Sequence, residues 1–201
     1  MKNNVTATIS KISKMLLALI VVSAAWAMAS VSAQTFVVKS YDMKISGTSN
    51  MHDWTMKAKD ANINAVWTLQ PGKISDLTGL DFSMPVKGLK SNSDLMDSRT
   101  YTTLKADKHQ KINFKLVSAD VTQQQGNQYL IKATGNLTIG GVTKSVVLMA
   151  NGIMNNEKLI TVTGSKKIKM SEWQIKPPSF MFGAMKVGDE VTIDFNLKFN
   201  G

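Results

Sequence analysis

Apolar residues recur at every second position along most of this chain, and that period limits its folds more than any other feature. In "VTIDFNLKF", Val191, Ile193, Phe195, Leu197 and Phe199 alternate with Thr192, Asp194, Asn196 and Lys198. Successive side chains of a strand point to opposite faces, so such a segment offers one face to a core and the other to water. The same period runs through Tyr41, Met43 and Ile45, then Trp54, Met56 and Ala58, then Ile63, Ala65, Trp67 and Leu69. It continues through Leu80, Phe82, Met84 and Val86, through Ile112, Phe114 and Leu116, and through Tyr129, Ile131, Ala133, Leu137 and Ile139. Near Asp60 the phase slips by one residue, which predicts a bulge. Turn residues separate the runs at Pro71-Gly72, Gln125-Gly126-Asn127, Gly140-Gly141, Asn155-Asn156 and Val187-Gly188-Asp189. Around Gly140-Gly141, the stretch "GNLTIGGVTKSVVLMA" reads as two antiparallel strands with a tight reversal. Many strands joined by short turns predict an all-β antiparallel sandwich or barrel. One segment breaks the period: Ser93 and Asp94 are cap residues, and Leu95, Met96, Arg99 and Leu104 follow at helical spacing, predicting a short helix over about 94–105 between two strands.

The first 33 residues follow another logic. Lys2, Lys11 and Lys14 precede an apolar run from Met15 to Ala29, and Val31-Ser32-Ala33 ends it with small residues. This is the pattern of a cleavable export signal cut between Ala33 and Gln34. A membrane anchor would need about 20 apolar residues, more than this run supplies. The expected organisation is a signal peptide over 1–33 and one domain over 34–201, with the mature protein in the periplasm. No internal repeat or linker divides that domain.

The chain has no cysteine, which excludes disulfides, thiolate metal sites and thiol nucleophiles. The formal net charge is +10, and the three leader lysines account for the difference between that and +7 for the rest. Arg99 is the sole arginine among 24 basic residues. Nucleic-acid readers lean on arginine forks, so no nucleic-acid partner is expected. The lysines fit the outward faces of strands, where they oppose edge-to-edge association, and they allow weak contact with an anionic membrane surface.

Three segments resemble the YceI-like, polyisoprenoid-binding periplasmic proteins. "LKSNSDLMDSRTYTTLKADKHQKINFKL" is similar to that family's helix-and-strand segment, "GNLTIGGVTKSVVLMA" to its G-x-L-T-I-x-G-V-T-K-x-V-x-L hairpin, and "VGDEVTIDFNLKF" to its closing strand. The resemblance spans about residues 40–199. Many members carry a segment of the form H-S-x-V-x-F-x-V-x-H, where this chain reads "YDMKISGTSNMHDWTMKA" with His52 alone. The resemblance implies an extended lipocalin-like antiparallel β-barrel, with the short helix inserted between strands, whose long apolar cavity holds an isoprenoid chain or another lipid.

Trp54, Met56, Phe82, Met84, Phe114, Tyr129 and Phe195 fall at inward positions, where they either pack together or line a pocket. Ten methionines after residue 33 favour an adaptable lining. "KPPSFMFGAMK" carries Phe180, Met181 and Phe182 outside the strand pattern, between Lys176 and Lys186. It reads either as a plug over one barrel end or as a lid through which a lipid enters, with the lysines meeting its head. "SNMHDW" brings together Ser49, His52 and Asp53, the residue types of a catalytic triad, but adjacent residues of an extended chain point apart, and His109 is the one other histidine. A turn held by the Asn50 and Asp53 side chains is the alternative. The leading expectation is therefore a non-enzymatic lipid carrier with no catalytic residue, metal or cofactor. Its rivals are a filled barrel acting through its surface as a stress-related or membrane-associated protein, and a hydrolase or metal protein centred on His52 and Asp53.

Overall fold

The computed structural model describes residues 32–156 and 159–201. Residues 1–31, most of the expected signal peptide, lie outside the described residues. Eleven strands and one α-helix follow in order: β1 (Ser32–Ser49), β2 (Trp54–Ala58), β3 (Asn62–Gln70), β4 (Lys73–Pro85), β5 (Leu89–Lys90), α1 (Asp94–Thr103), β6 (Lys111–Gln123), β7 (Gln128–Ile139), β8 (Val142–Asn156), β9 (Leu159–Lys169), β10 (Ser179–Phe180) and β11 (Met185–Asn200). Strands β1, β3, β4, β6, β7, β8, β9 and β11 pair antiparallel in that order, and β11 returns to β1. The wall is thus a closed eight-stranded barrel, which leaves no long edge for another chain to extend.

Strand β1 is shared. Its first part, Ser32–Val37, pairs with β3, and Lys44–Gly47 pairs with β2, which in turn carries the two-residue β5. Between these contacts Asp60 takes a left-handed φ of 58°. The phase slip expected there is present: Met56 and Ala58 are buried on one side of it, and Ile63, Ala65 and Trp67 on the other. The Ala61 N–H, left without a strand partner, donates to Tyr41 Oη at 2.8 Å.

Gly140 and Gly141 have φ of 57° and 84°, the conformation a two-residue hairpin needs and glycine adopts without a Cβ clash. Two expected turns fall elsewhere. β8 runs through Asn155 and Asn156, and Val187-Gly188-Asp189 lies within β11. Gly188 there marks a register shift against β1, where Ser49 pairs with Val187. An irregularity, not a reversal, absorbs the glycine.

Helix α1 begins where the cap predicted, with Ser93 Oγ accepting from the Met96 N–H at 3.3 Å. It is pinned at two points. Asp97 is buried and accepts from the Ser91 N–H (2.7 Å) and Ser91 Oγ (2.8 Å), with Lys90 Nζ at 3.4 Å. Tyr101 Oη lies 2.9 Å from the carbonyls of both Lys87 and Leu89, which share its single proton. The helix therefore lies across one end of the barrel, over Met56, Met84 and Leu89. Phe36, Trp67, Tyr129, Ile160 and Phe199 fill the opposite end.

Candidate functional site

Between the packed end and α1 the barrel is open inside. A cavity of about 480 Å³ extends from Trp67 and Phe199 to Leu95, Arg99 and Phe180. Phe82 and Phe195 point inward and pack against core side chains, yet are only half-buried, because part of each ring faces this space. A filled interior, one of the rival expectations, does not describe this barrel.

Its walls follow from strand alternation, since every second residue of each strand must face in. Trp54, Met56, Phe82, Met84, Phe114 and Phe195 all line the cavity, as does Phe180. Three of these rings lie against glycines of neighbouring strands. A Cβ on Gly47 would overlap the Trp54 ring, one on Gly135 the Phe114 ring, and one on Gly164 the Phe195 ring. Each ring thus leans over a glycine of the wall, into space that a Cβ would otherwise fill.

Two expected lining residues lie elsewhere. Tyr129 belongs to the packed end, 2% exposed, with its Oη accepting from the Ile74 N–H at 3.1 Å. That stretch of β4 has no β6 partner, because β4–β6 pairing covers only Asp81–Pro85, and the phenol supplies the missing acceptor. Phe182 is fully exposed. Ser179 and Phe180 pair with Lys186 and Met185, so "SFMFGAMK" is a hairpin whose tip, Met181–Gly183, has three successive positive φ values. The tip turns Phe180 toward the cavity and Phe182 toward water, so the two phenylalanines do not form a common plug or lid. Lys176 and Lys186 are exposed and outside the wall.

Alternation also carries a residue that the candidate set above omits. On β9, Ile160, Val162, Gly164, Lys166 and Ile168 share the inward face, and Lys166 lines the cavity. Its neighbour Lys167 faces out and pairs with Glu190 at 2.9 Å. Among the described residues, the charged side chains of the wall are Arg99 and Lys166, with His52 also lining it, and no aspartate or glutamate contributes. The Arg99 guanidinium stands over the Phe180 ring, 4.0 Å from its centroid.

The "SNMHDW" segment is a turn. Ser49 Oγ donates to the His52 carbonyl at 2.7 Å and accepts from the Met51 and His52 N–H groups, so the hydroxyl serves the backbone rather than an imidazole. Asn50 ties this turn to the 176–187 segment, its Nδ2 donating to the Ala184 carbonyl and its Oδ1 accepting from the Lys186 N–H, both at 2.8 Å. Asp53, expected to help hold the turn, is exposed, and Ser49 with Asn50 does that work. Among the described residues, no group of three or more His, Cys, Asp or Glu side chains is placed to hold a metal ion.

A closed eight-stranded barrel, a helix across one end and an apolar lumen agree with the comparison to known families, in which the model of the YceI-like domain matches residues 22–199. The chain belongs to this family. Solved structures similar to this YceI-like barrel include BcnA of Burkholderia cenocepacia, 18% identical over 79% of this chain and 95% of that one, with a TM-score of 0.64. A polyisoprenoid binding domain from Saccharophagus degradans, implicated in plant cell wall breakdown, is 10% identical, with 85% and 99% of the two chains covered and a TM-score of 0.62. The YCEI protein of Campylobacter jejuni is 21% identical, with 77% and 84% covered and a TM-score of 0.56. At these identities the likeness is one of fold. No curated protein matches the chain.

Proposed function

We propose that this YceI-like protein binds and carries a long apolar molecule, a polyisoprenoid or another lipid, within its barrel and without a catalytic step. The observation that carries the reading is the cavity itself, about 480 Å³ of space walled by aromatic, aliphatic and methionine side chains. Such a space empties of water at little cost, and each methylene transferred into it gains about 0.8 kcal/mol before ordering costs. One structural relative is described as a polyisoprenoid binding domain, which supports the ligand class. Trp54, Met56, Phe82, Met84, Phe114, Phe180 and Phe195 are the contacts this reading assigns.

Export to the periplasm after cleavage behind Ala33 belongs to the same proposal and rests on the leader pattern. Cleavage there leaves Gln34 pairing with Trp67, so the β1–β3 contact survives. Brief contact with an anionic membrane suits a carrier that must collect its ligand from a bilayer.

Protein purified from the cell envelope, measured intact by native mass spectrometry and then extracted with organic solvent, tests the reading. The expected result is a polypeptide mass beginning at Gln34 and a bound lipid that extraction removes. A ligand-free protein that also fails to take up farnesol or oleate would sink the carrier reading.

A further inference from the structure

The wall of the cavity is apolar almost throughout, yet among the described residues it contains two basic side chains, Lys166 and Arg99, and no acid. Lys166 occupies an inward strand position between Gly164 and Ile168, where its alternation partners on the same face are Ile160 and Val162. Its register partner on β11, Ile193, also lines the cavity, and Ile193 pairs in turn with the lining residue Ile45 of β1. Among the described residues, Lys166 makes no ion pair, although Lys44, Lys87, Lys90, Lys132 and Lys167 each have one. Arg99 faces the same space from α1. It too has no carboxylate partner among the described residues, and its guanidinium meets only the face of Phe180.

An ammonium facing an apolar lumen without a counter-ion is a poor structural device. It costs solvation that a leucine or methionine at the same position would not. The outward-facing lysines can be explained by solubility, but an inward one cannot. The cost is recovered when an anion enters, because a charge-assisted bond in a low-dielectric cavity is stronger than one at the surface. Cations lining a low-dielectric cleft also raise its potential and favour anions over neutral molecules of the same shape. The five donors of a guanidinium suit a phosphate or carboxylate, and Phe180 leaves their edge free by occupying the face. Thr103, one turn along α1 from Arg99, adds a hydroxyl to the same wall.

The geometry points to an acidic amphiphile as the ligand, its apolar chain along the barrel and its oxyanion head, a phosphate or a carboxylate, held by Lys166 and Arg99. This rests on the lipid-carrier reading and narrows it, since a neutral isoprenoid would leave both cations unanswered.

The test uses the full mature protein with three probes: farnesol, farnesyl monophosphate and oleate. Farnesyl monophosphate should bind at least about tenfold more tightly than farnesol, the equivalent of one charge-assisted hydrogen bond, with a preference that narrows as salt rises. Lys166→Met and Arg99→Gln should each reduce that preference, read as the ratio of the two affinities in the same variant, to about threefold or less. Lys166→Met should also melt no earlier than the parent, so loss of fold does not confound the result. Oleate binding that follows the same pattern marks a general oxyanion site, whereas oleate binding no better than farnesol marks a phosphate-selective one; both outcomes keep the proposal. Equal affinity for farnesol and its phosphate, or a preference untouched by both substitutions, overturns the acidic head and leaves the carrier intact. Binding of none of the three overturns the carrier reading beneath it.

Discussion

Gly164 and Phe195 sit directly opposite each other across β9 and β11, and the absence of a side chain on one allows the ring of the other to lie against the wall. Gly135 does the same for Phe114, and Gly47 for Trp54. Gly164→Ala places a methyl group against both the Phe195 ring and the Met149 carbonyl, so the ring must turn into the lumen and β8 must give way, at a strain of about 1–3 kcal/mol typical of overpacking. The expected outcome is a folded barrel of slightly lower melting temperature that retains shorter lipid chains than its parent. Lipid extraction and mass spectrometry on both proteins, matched by circular dichroism, measure this; an unchanged chain-length distribution would show that the Phe195 ring does not set capacity. The sequence alone does not reveal such a pair, because Gly164 and Phe195 are far apart in the chain and meet only once the strand register is known. Lys166 is different. Its inward position follows from Ile160, Val162 and Ile168 by counting in twos, and only the habit of assigning lysines to solvent hides it.

One of the two anchors of helix α1 is a buried carboxylate. Burial works to raise the Asp97 pKa, but the Ser91 N–H, the Ser91 hydroxyl and the Lys90 ammonium together outweigh it, and the group lies below its ordinary value. A lowered carboxylate pKa means that the charged form is bound more tightly in the folded state. Its stabilising contribution is complete above the unfolded value, about pH 4, and is lost as pH falls through the lower folded one. Lys90 is half-exposed, so the ion pair itself contributes little and the two Ser91 bonds carry most of the effect. Asp97→Ala leaves the Ser91 N–H without its partner and should cost about 1–3 kcal/mol. Hydrogen exchange should show the amides of Asp94–Thr103 losing protection while β7 and β8 keep theirs, and the variant should lose the acid-range decline that this group causes. Uniform protection in the variant would mean that Tyr101 alone holds the helix. The start of α1 was legible in Ser93, and the hairpin at Gly140-Gly141 in its glycines. The run of β11 through Val187-Gly188-Asp189 was not, since a glycine that serves a turn and one that serves a bulge look alike until a partner strand is known.

On the scale of the molecule, the barrel has one end packed by Trp67, Phe36 and Phe199 and one end where loops and helix gather apolar residues in water. Met51, Leu95, Met181 and Phe182 are all exposed there, on three segments joined by the Asn50 bonds and by Arg99 over Phe180. Single exposed apolar residues need no explanation, but several around the opening of a lipid cavity fit a surface that touches a bilayer during transfer. Phe182 tests this cleanly. Its φ of 53° is strained for a branched or bulky residue and suits asparagine, and its ring contacts nothing that folding requires. Phe182→Asn should leave thermal stability equal or higher, where loss of a buried phenylalanine would cost about 3–5 kcal/mol. If the tip meets membranes, the same variant should deliver a fluorescent lipid to vesicles several-fold more slowly, with affinity for the lipid unchanged. The positive charge on the protein should make transfer to vesicles containing phosphatidylglycerol faster than to neutral ones, and salt should narrow that gap. Equal transfer rates for parent and variant would remove the tip from the transfer step, and the exposed ring would then need another partner.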